Sequence, residues 1–262
     1  MTYEEVKKRT ILLSVVGSTA YGLDVEGSDK DQLGVCIEPI EQVIGLRGHF
    51  EQYEGKGEAG DVKVYSLRKF LSLAMKGNPN ILELFFITPT YCDARGNRLL
   101  ELKKFILSRQ AVHPYLGYLH AQKLRLIGEK GQKRCHRPEN ESKYGFDTKY
   151  AMHMLRLGFQ GVELLRSGKL SFPIPEPDRT YLRSVREGLV NLEECVRRAE
   201  ELEAEIRKVV DTSLLPDQPS WAPVEDFLIS TYGKLWSAEL ATKEKAAEKR
   251  KPGQEGLPGS IL

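Results

Sequence analysis

The stretch VVGSTAYGLDVEGSDKDQLGV, residues 15–35, decides how the rest of the chain is read. An apolar run from Ile11 to Val16 stops at Gly17-Ser18, and a second, Gly34 to Ile37, follows Ser28-Asp29-Lys30-Asp31. Such runs read as buried strands. Side chains alternate along a strand, so Asp29 and Asp31, at i and i+2, are expected on one face. Like charges on one face repel unless a cation lies between them. Carboxylate oxygens are hard ligands and suit Mg²⁺. Gly17-Ser18 falls where a strand is expected to turn into a short helix. Free backbone N–H groups and a hydroxyl hold phosphate at such a turn. One stretch thus combines a phosphate cradle with half of a metal site, which points to phosphoryl or nucleotidyl transfer.

The pattern Gly17-Ser18, a spacer, then Ser28-Asp29-Lys30-Asp31-Gln32-Leu33-Gly34 resembles the signature of the DNA polymerase β nucleotidyltransferase superfamily. Three further segments carry the resemblance: DVKVYSLRKFL from Asp61, KGNPNILELF from Lys76, and KYAMHMLR from Lys149 through His153. Together they are similar to the RlaP-type branch implicated in RNA repair, over roughly residues 8 to 240. An isolated D-x-D is common; D-x-D at this distance behind a strand and Gly-Ser is specific.

Working outward, the chain is of a size for one large domain or two small ones, at 262 residues, 40% hydrophobic and 29% charged. Its 39 Lys/Arg against 37 Asp/Glu leave a net charge of +2, so any surface for a polyanion has to be local. No apolar run approaches the roughly 18 residues of a membrane span. The N-terminal MTYEEVKKRT lacks the apolar core of a signal peptide. Cys36, Cys92, Cys135 and Cys195 are widely spaced, which reads as the reduced thiols of a cytoplasmic protein. Cys135-His136 is too sparse for a zinc site.

The expected fold class is α+β: a small mixed nucleotidyltransferase sheet with flanking helices over residues 1–94, then an all-helical domain over 95–241 covering the nucleotide cleft. A disordered charged tail is expected over 242–262. Asp61 to Ser66 alternates and reads as a strand, with Val62 and Val64 on one face and Asp61, Lys63 and Tyr65 on the other. A strand-opening aspartate more often faces solvent. Beside the first motif, Asp61 becomes the candidate third carboxylate, with Glu51 and Glu58 as fallbacks. Leu67 to Lys76 reads as an amphipathic helix, and Asn78-Pro79 as the start of another. Glu83, within the apolar run that follows, is open between a buried structural partner and a site role.

Only helices are expected from Arg95 onward. Gly128 to Tyr144 reads as a polar, basic loop. Residues 121–156 hold nine Lys/Arg against four acids, an excess of five over a chain whose net charge is +2. That makes this segment the candidate RNA surface, with Lys130, Lys133, Arg134, Arg137 and Lys143 as its contacts. Asp147 to Arg166 is the strongest helix. Lys149, His153 and Arg156 fall at i, i+4 and i+7 and share a cationic face that would suit a triphosphate, although His153 by itself, between methionines, reads more often as a packed core histidine. The resemblance implies that this helix faces the nucleotide cleft, through Lys149 and His153.

The charges imply a mechanism. An NTP and three carboxylates need Mg²⁺ (or Mn²⁺) between them. In a two-metal site Asp29 and Asp31 would hold both ions. Asp61 would hold the catalytic ion and help deprotonate the acceptor hydroxyl. Gly17, Ser18 and Lys149 would hold the phosphates. The resemblance implies an RNA acceptor, a tRNA-like 3′ end. Transfer to a protein side chain or small molecule, or an inactive nucleotide-binding module, are the alternatives.

Overall fold

The computed structural model describes residues 1–46, 48–57, 60–128 and 138–248. Five strands, β1 (Thr10–Val15), β2 (Gln32–Cys36), β3 (Gln52–Lys56), β4 (Asp61–Ser66) and β5 (Tyr91–Cys92), form one sheet in the order β3-β4-β2-β1-β5. β2 and β4 run parallel; the other three pairings are antiparallel. β3 and β4 make a hairpin closed by Gly57 N–H donating to the Gly60 carbonyl at 2.8 Å. β4 alternates as its sequence predicts: Val62 and Val64 are buried while Asp61 is exposed.

Twelve α-helices are present among the described residues: α1 (Tyr3–Arg9), α2 (Gly17–Tyr21), α3 (Leu67–Met75), α4 (Pro79–Leu82), α5 (Ala94–Glu101), α6 (Lys103–Ile106), α7 (Val112–Ile127), α8 (Pro138–Tyr144), α9 (Thr148–Ser167), α10 (Asp178–Arg186), α11 (Leu192–Thr212) and α12 (Trp221–Glu248). Local chemistry sets their starts. Ser66 accepts from the Lys69 N–H at the start of α3. Asn78 caps α4, with Pro79 in its first turn. Asp147 caps α9 by accepting from Tyr150 N–H. The chain is therefore α+β, a mixed sheet with helices followed by a helical C-terminal region. No helix of the described residues is long and apolar enough to cross a membrane.

Two main cores divide the molecule. The first joins the sheet to α3–α6 and α12, through Ile11, Val35, Phe70, Leu84, Leu99, Ile106, Val224 and Phe227. The second is helical, built on Leu119, Leu155, Leu182, Ala199 and Leu202 of α7, α9, α10 and α11, and it takes in Tyr21 and Leu23 from the sheet side. α5, α6 and α12 share the first core with the sheet, through Leu99, Ile106, Val224 and Phe227. α2 hangs on the sheet by one end and is buried in the helical core by the other. That short element fixes where the two layers meet.

Four local expectations need correction. β2 begins at Gln32, so Asp29 precedes the strand and the alternation argument does not place it. The ladder is extended only by Val16 N–H donating to the Asp31 carbonyl at 2.8 Å. Beyond it Gly17 turns away with φ +70°, a conformation other residues rarely adopt. Residues 138–144, expected as loop, form α8, because the acids Glu139 and Glu141 sit favourably in its first turn. The two-residue β5 was not expected. Helix α12 runs seven residues past the expected boundary at 241, to Glu248; residues 249–262 lie outside the described residues.

Candidate active site

The first motif folds as a turn facing a pair of strand ends. Val16 precedes α2 and, having no side-chain oxygen, leaves its first N–H groups without a side-chain cap. Parallel pairing sets Gln32 opposite Val62. The residues just before them, Asp31 and Asp61, are consequently neighbours: Asp61 N–H donates to Asp31 Oδ1 at 3.1 Å. A Cβ on Gly17 would lie 3.5 Å from Asp31 Oδ2, so the turn and this carboxylate are in van der Waals range. Gly60 also has a reason: a Cβ there would come within 2.7 Å of the Lys30 backbone, which lets the hairpin close against the acidic loop.

Lys56 lies opposite Asp61 in the hairpin, and its Nζ is 2.5 Å from Asp61 Oδ1. The bond to Asp61 holds the Lys56 ammonium above its ordinary pKa, helped by the charges of Asp61, Asp29 and Asp31. All three candidate carboxylates therefore act on one cation. Asp29 and Asp61 are exposed and Asp31 is half-buried. Among the described residues no three His, Cys, Asp or Glu side chains are arranged as ready metal ligands. In kind, an open set of carboxylate oxygens beside a backbone turn fits Mg²⁺ or Mn²⁺. Of the fallbacks, Glu51 pairs with Lys69 near Ser66, the far end of β4 from Asp61. Glu58 lies outside the described residues.

Helix α9 closes the other side. A cavity of about 250 Å³ is lined by Gly17, Ser18 and Asp31 from the first motif and by Lys149, Tyr150 and His153 from α9, among others. A larger one, about 500 Å³, lies between α1 and α12, but it is lined by residues such as Lys8, Arg9 and Glu239 and holds nothing of the first motif.

Behind the smaller cavity is a buried polar cluster. Arg156 is 1% exposed. Its Nη1 lies 2.5 Å from Gln160 Oε1 and 3.5 Å from Glu83 Oε2, and its guanidinium stacks 4.1 Å from the Tyr21 ring centre. The Tyr21 hydroxyl donates to Glu83 Oε2 at 2.8 Å. Burial pushes the Glu83 carboxyl up, while Arg156 and the Tyr21 hydroxyl pull it back. Burial pushes His153 down to about 3, and the charges of Arg156 and Lys149 push it the same way. The expected cationic face of Lys149, His153 and Arg156 is thus corrected. Arg156, though it reaches the cavity wall, is turned to Glu83, and His153 is neutral at ordinary pH; Lys149 from α9 and Asp31 from the first motif bring charge to the cavity.

The basic segment is reduced too. Lys123 is buried beside Glu200 and Glu203, and Arg156 is internal. Lys143 lies on α8 and contacts the Tyr144 ring. Lys130, Lys133, Arg134 and Arg137 lie outside the described residues, as does Cys135. Cys36, Cys92 and Cys195 are free thiols.

Sequence reasoning missed Lys56 and Tyr21. Lys56 is placed by hairpin register, which needs the turn length to be known. The partner of Tyr21 is 62 residues away, beyond any local pattern.

Residues 2–230 match the family described as "RlaP: RNA repair pathway DNA polymerase beta family". No curated protein matches the chain. Among solved structures, a nucleotidyltransferase-like protein from Exiguobacterium sibiricum 255-15 is 13% identical, covering 80% of this chain and 72% of that one, with a TM-score of 0.27.

Proposed function

This chain belongs to the RNA repair pathway DNA polymerase beta family, nucleotidyltransferases of the polymerase β type, and from that premise we propose that it transfers a nucleoside monophosphate from an NTP to a hydroxyl on an RNA end. One observation carries the reading. Residues 118 to 136 positions apart in sequence, Gly17, Ser18 and Asp31 on one side and Lys149 and His153 on the other, line a single cavity.

Each role follows from chemistry. The uncapped N–H groups of the Gly17-Ser18 turn and the Ser18 hydroxyl donate to β- and γ-phosphate oxygens. Lys149, reaching in from α9, neutralises the same phosphates. His153 supplies a hydrogen bond without adding charge. Asp29, Asp31 and Asp61 would hold Mg²⁺ (or Mn²⁺), which when bound activates the acceptor hydroxyl and stabilises the pyrophosphate leaving group. Lys56, bonded to Asp61 in this structure, would have to yield that carboxylate, and Asp61 would then accept the acceptor's proton. The RNA acceptor is supported by the family's description and by the basic residues of the segment 130–143, Lys130, Lys133, Arg134, Arg137 and Lys143.

The test is to incubate the protein with α-labelled NTPs, Mg²⁺ and total cell RNA and protein. Label on RNA supports the proposal. Label on protein alone, or none, contradicts it. RNA affinity is expected to fall steeply as salt rises, because neutralised phosphates release counterions.

A further inference from the structure

His153 stands one helical turn after Lys149 on α9, half-buried in the cavity wall. Its Nδ1 lies 3.1 Å from Arg156 Nη2. A guanidinium has donors and no acceptor, and it stays protonated in proteins. Nδ1 must therefore be the acceptor, and the proton of a neutral ring must sit on Nε2. The arginine has no freedom to turn away. Its other terminal nitrogen is engaged by Gln160 and Glu83, and its face lies on Tyr21.

We propose that the buried Glu83–Arg156 pair locks His153 in its Nε2–H tautomer, so that His153 offers the cavity an uncharged hydrogen-bond donor beside the charged Lys149. Arg156 is then a positioning residue, and Glu83 keeps Arg156 in place. The surroundings oppose a second proton on the ring. Lys149 and Arg156 flank it on α9, and Tyr21 of α2 lies against Arg156. Two acids stand near it, Asp31 across the cavity and Glu83 behind Arg156. An ordinary histidine changes charge near neutrality. This one donates the same bond, with the same charge, across that range. The lock stands on the protein alone; that its bond is made to a nucleotide phosphate rests on the proposed function.

The experiment is long-range ¹H–¹⁵N NMR of the full chain with labelled histidine, His153 being assigned by its loss in His153→Gln. Expected is a proton on Nε2, a bare Nδ1, and shifts that do not move between about pH 5 and 8. A proton on Nδ1, or titration near the ordinary 6.5, would overturn the lock. In the double variant Glu83→Leu/Arg156→Leu, which leaves no orphaned buried charge, Nδ1 loses the donor that fixes it and the ring is expected to mix its two neutral tautomers, while burial still opposes a second proton. A ring that stays wholly Nε2-protonated there would overturn the role of Arg156. Should the double variant not fold, the wild-type spectrum still decides the proposal. Addition of α,β-methylene ATP with Mg²⁺ is expected to shift the Nε2–H resonance. No shift would overturn the nucleotide reading of the cavity and leave the lock standing.

Discussion

Two clusters of charge face each other across α2, and they obey different rules. At the strand ends, Asp29, Asp31, Asp61 and Lys56 lie mostly in water, where ion pairs are weak and partners exchange. Behind the cavity, Tyr21, Glu83 and Arg156 are desolvated, and each depends on the others for its polar contacts. Sequence treats Asp31 and Arg156 alike, as charged residues in motifs. Burial separates them. The exposed cluster can change partners and so can bind; the buried one holds the turn against α9 and so positions.

That contrast is most easily broken at Arg156. Arg156→Leu leaves Glu83 buried and unpaired, and urea unfolding is expected to register a loss of about 3–5 kcal/mol. Adding Glu83→Leu is expected to recover much of it. A single variant as stable as wild type would mean that the pair is not a buried support.

Asp31→Asn is the opposite case. Asn keeps an oxygen for the Asp61 N–H, so the urea midpoint is expected to hold. Label transfer is expected to fall by about 10²–10³-fold, the scale of losing one charge-stabilising group. Full activity with excess Mg²⁺ would remove the carboxylates from the chemistry.

Lys149→Ala sharpens the boundary between the clusters, since Lys149 lines the cavity one helical turn before His153. A nucleotide KM raised about tenfold with kcat little changed is expected for a lost charged hydrogen bond. An unchanged KM would move the triphosphate elsewhere.

The last test is of pH dependence. His153 is depressed from 6.5 to about 3 in the folded chain, so between those values only the unfolded chain holds the extra proton. Stability is therefore expected to fall as pH drops below about 6.5. His153→Gln is expected to flatten that fall in thermal melts taken across the range; equal slopes for both proteins would contradict a neutral buried ring.

Much of this layout was legible where the signal is local. The β4 alternation, the Asn78 cap, the start of α9 near Asp147 and the glycine at the end of the first strand are decided by neighbours within a few residues. The nearness of Asp31 and Asp61 was an inference from two strand-end acids, and it depended on parallel pairing of β2 with β4. What stayed hidden depends on distance in sequence. Arg156 shares a helical face with Lys149, yet its environment is set by Glu83, 73 positions earlier. β5 is too short for any period to register. α12 joins the sheet core from the far end of the chain, which composition cannot signal.

The central claim is that the Gly17-Ser18 turn, the three aspartates and Lys149 make one nucleotide–metal site. The most direct measurement is anomalous diffraction from crystals soaked with Mn²⁺ and α,β-methylene ATP. The account predicts manganese among Asp29, Asp31 and Asp61, Lys56 released from Asp61, and the triphosphate between Gly17-Ser18 and Lys149. Manganese elsewhere, or a nucleotide bound away from this turn while Lys56 keeps Asp61, would contradict it.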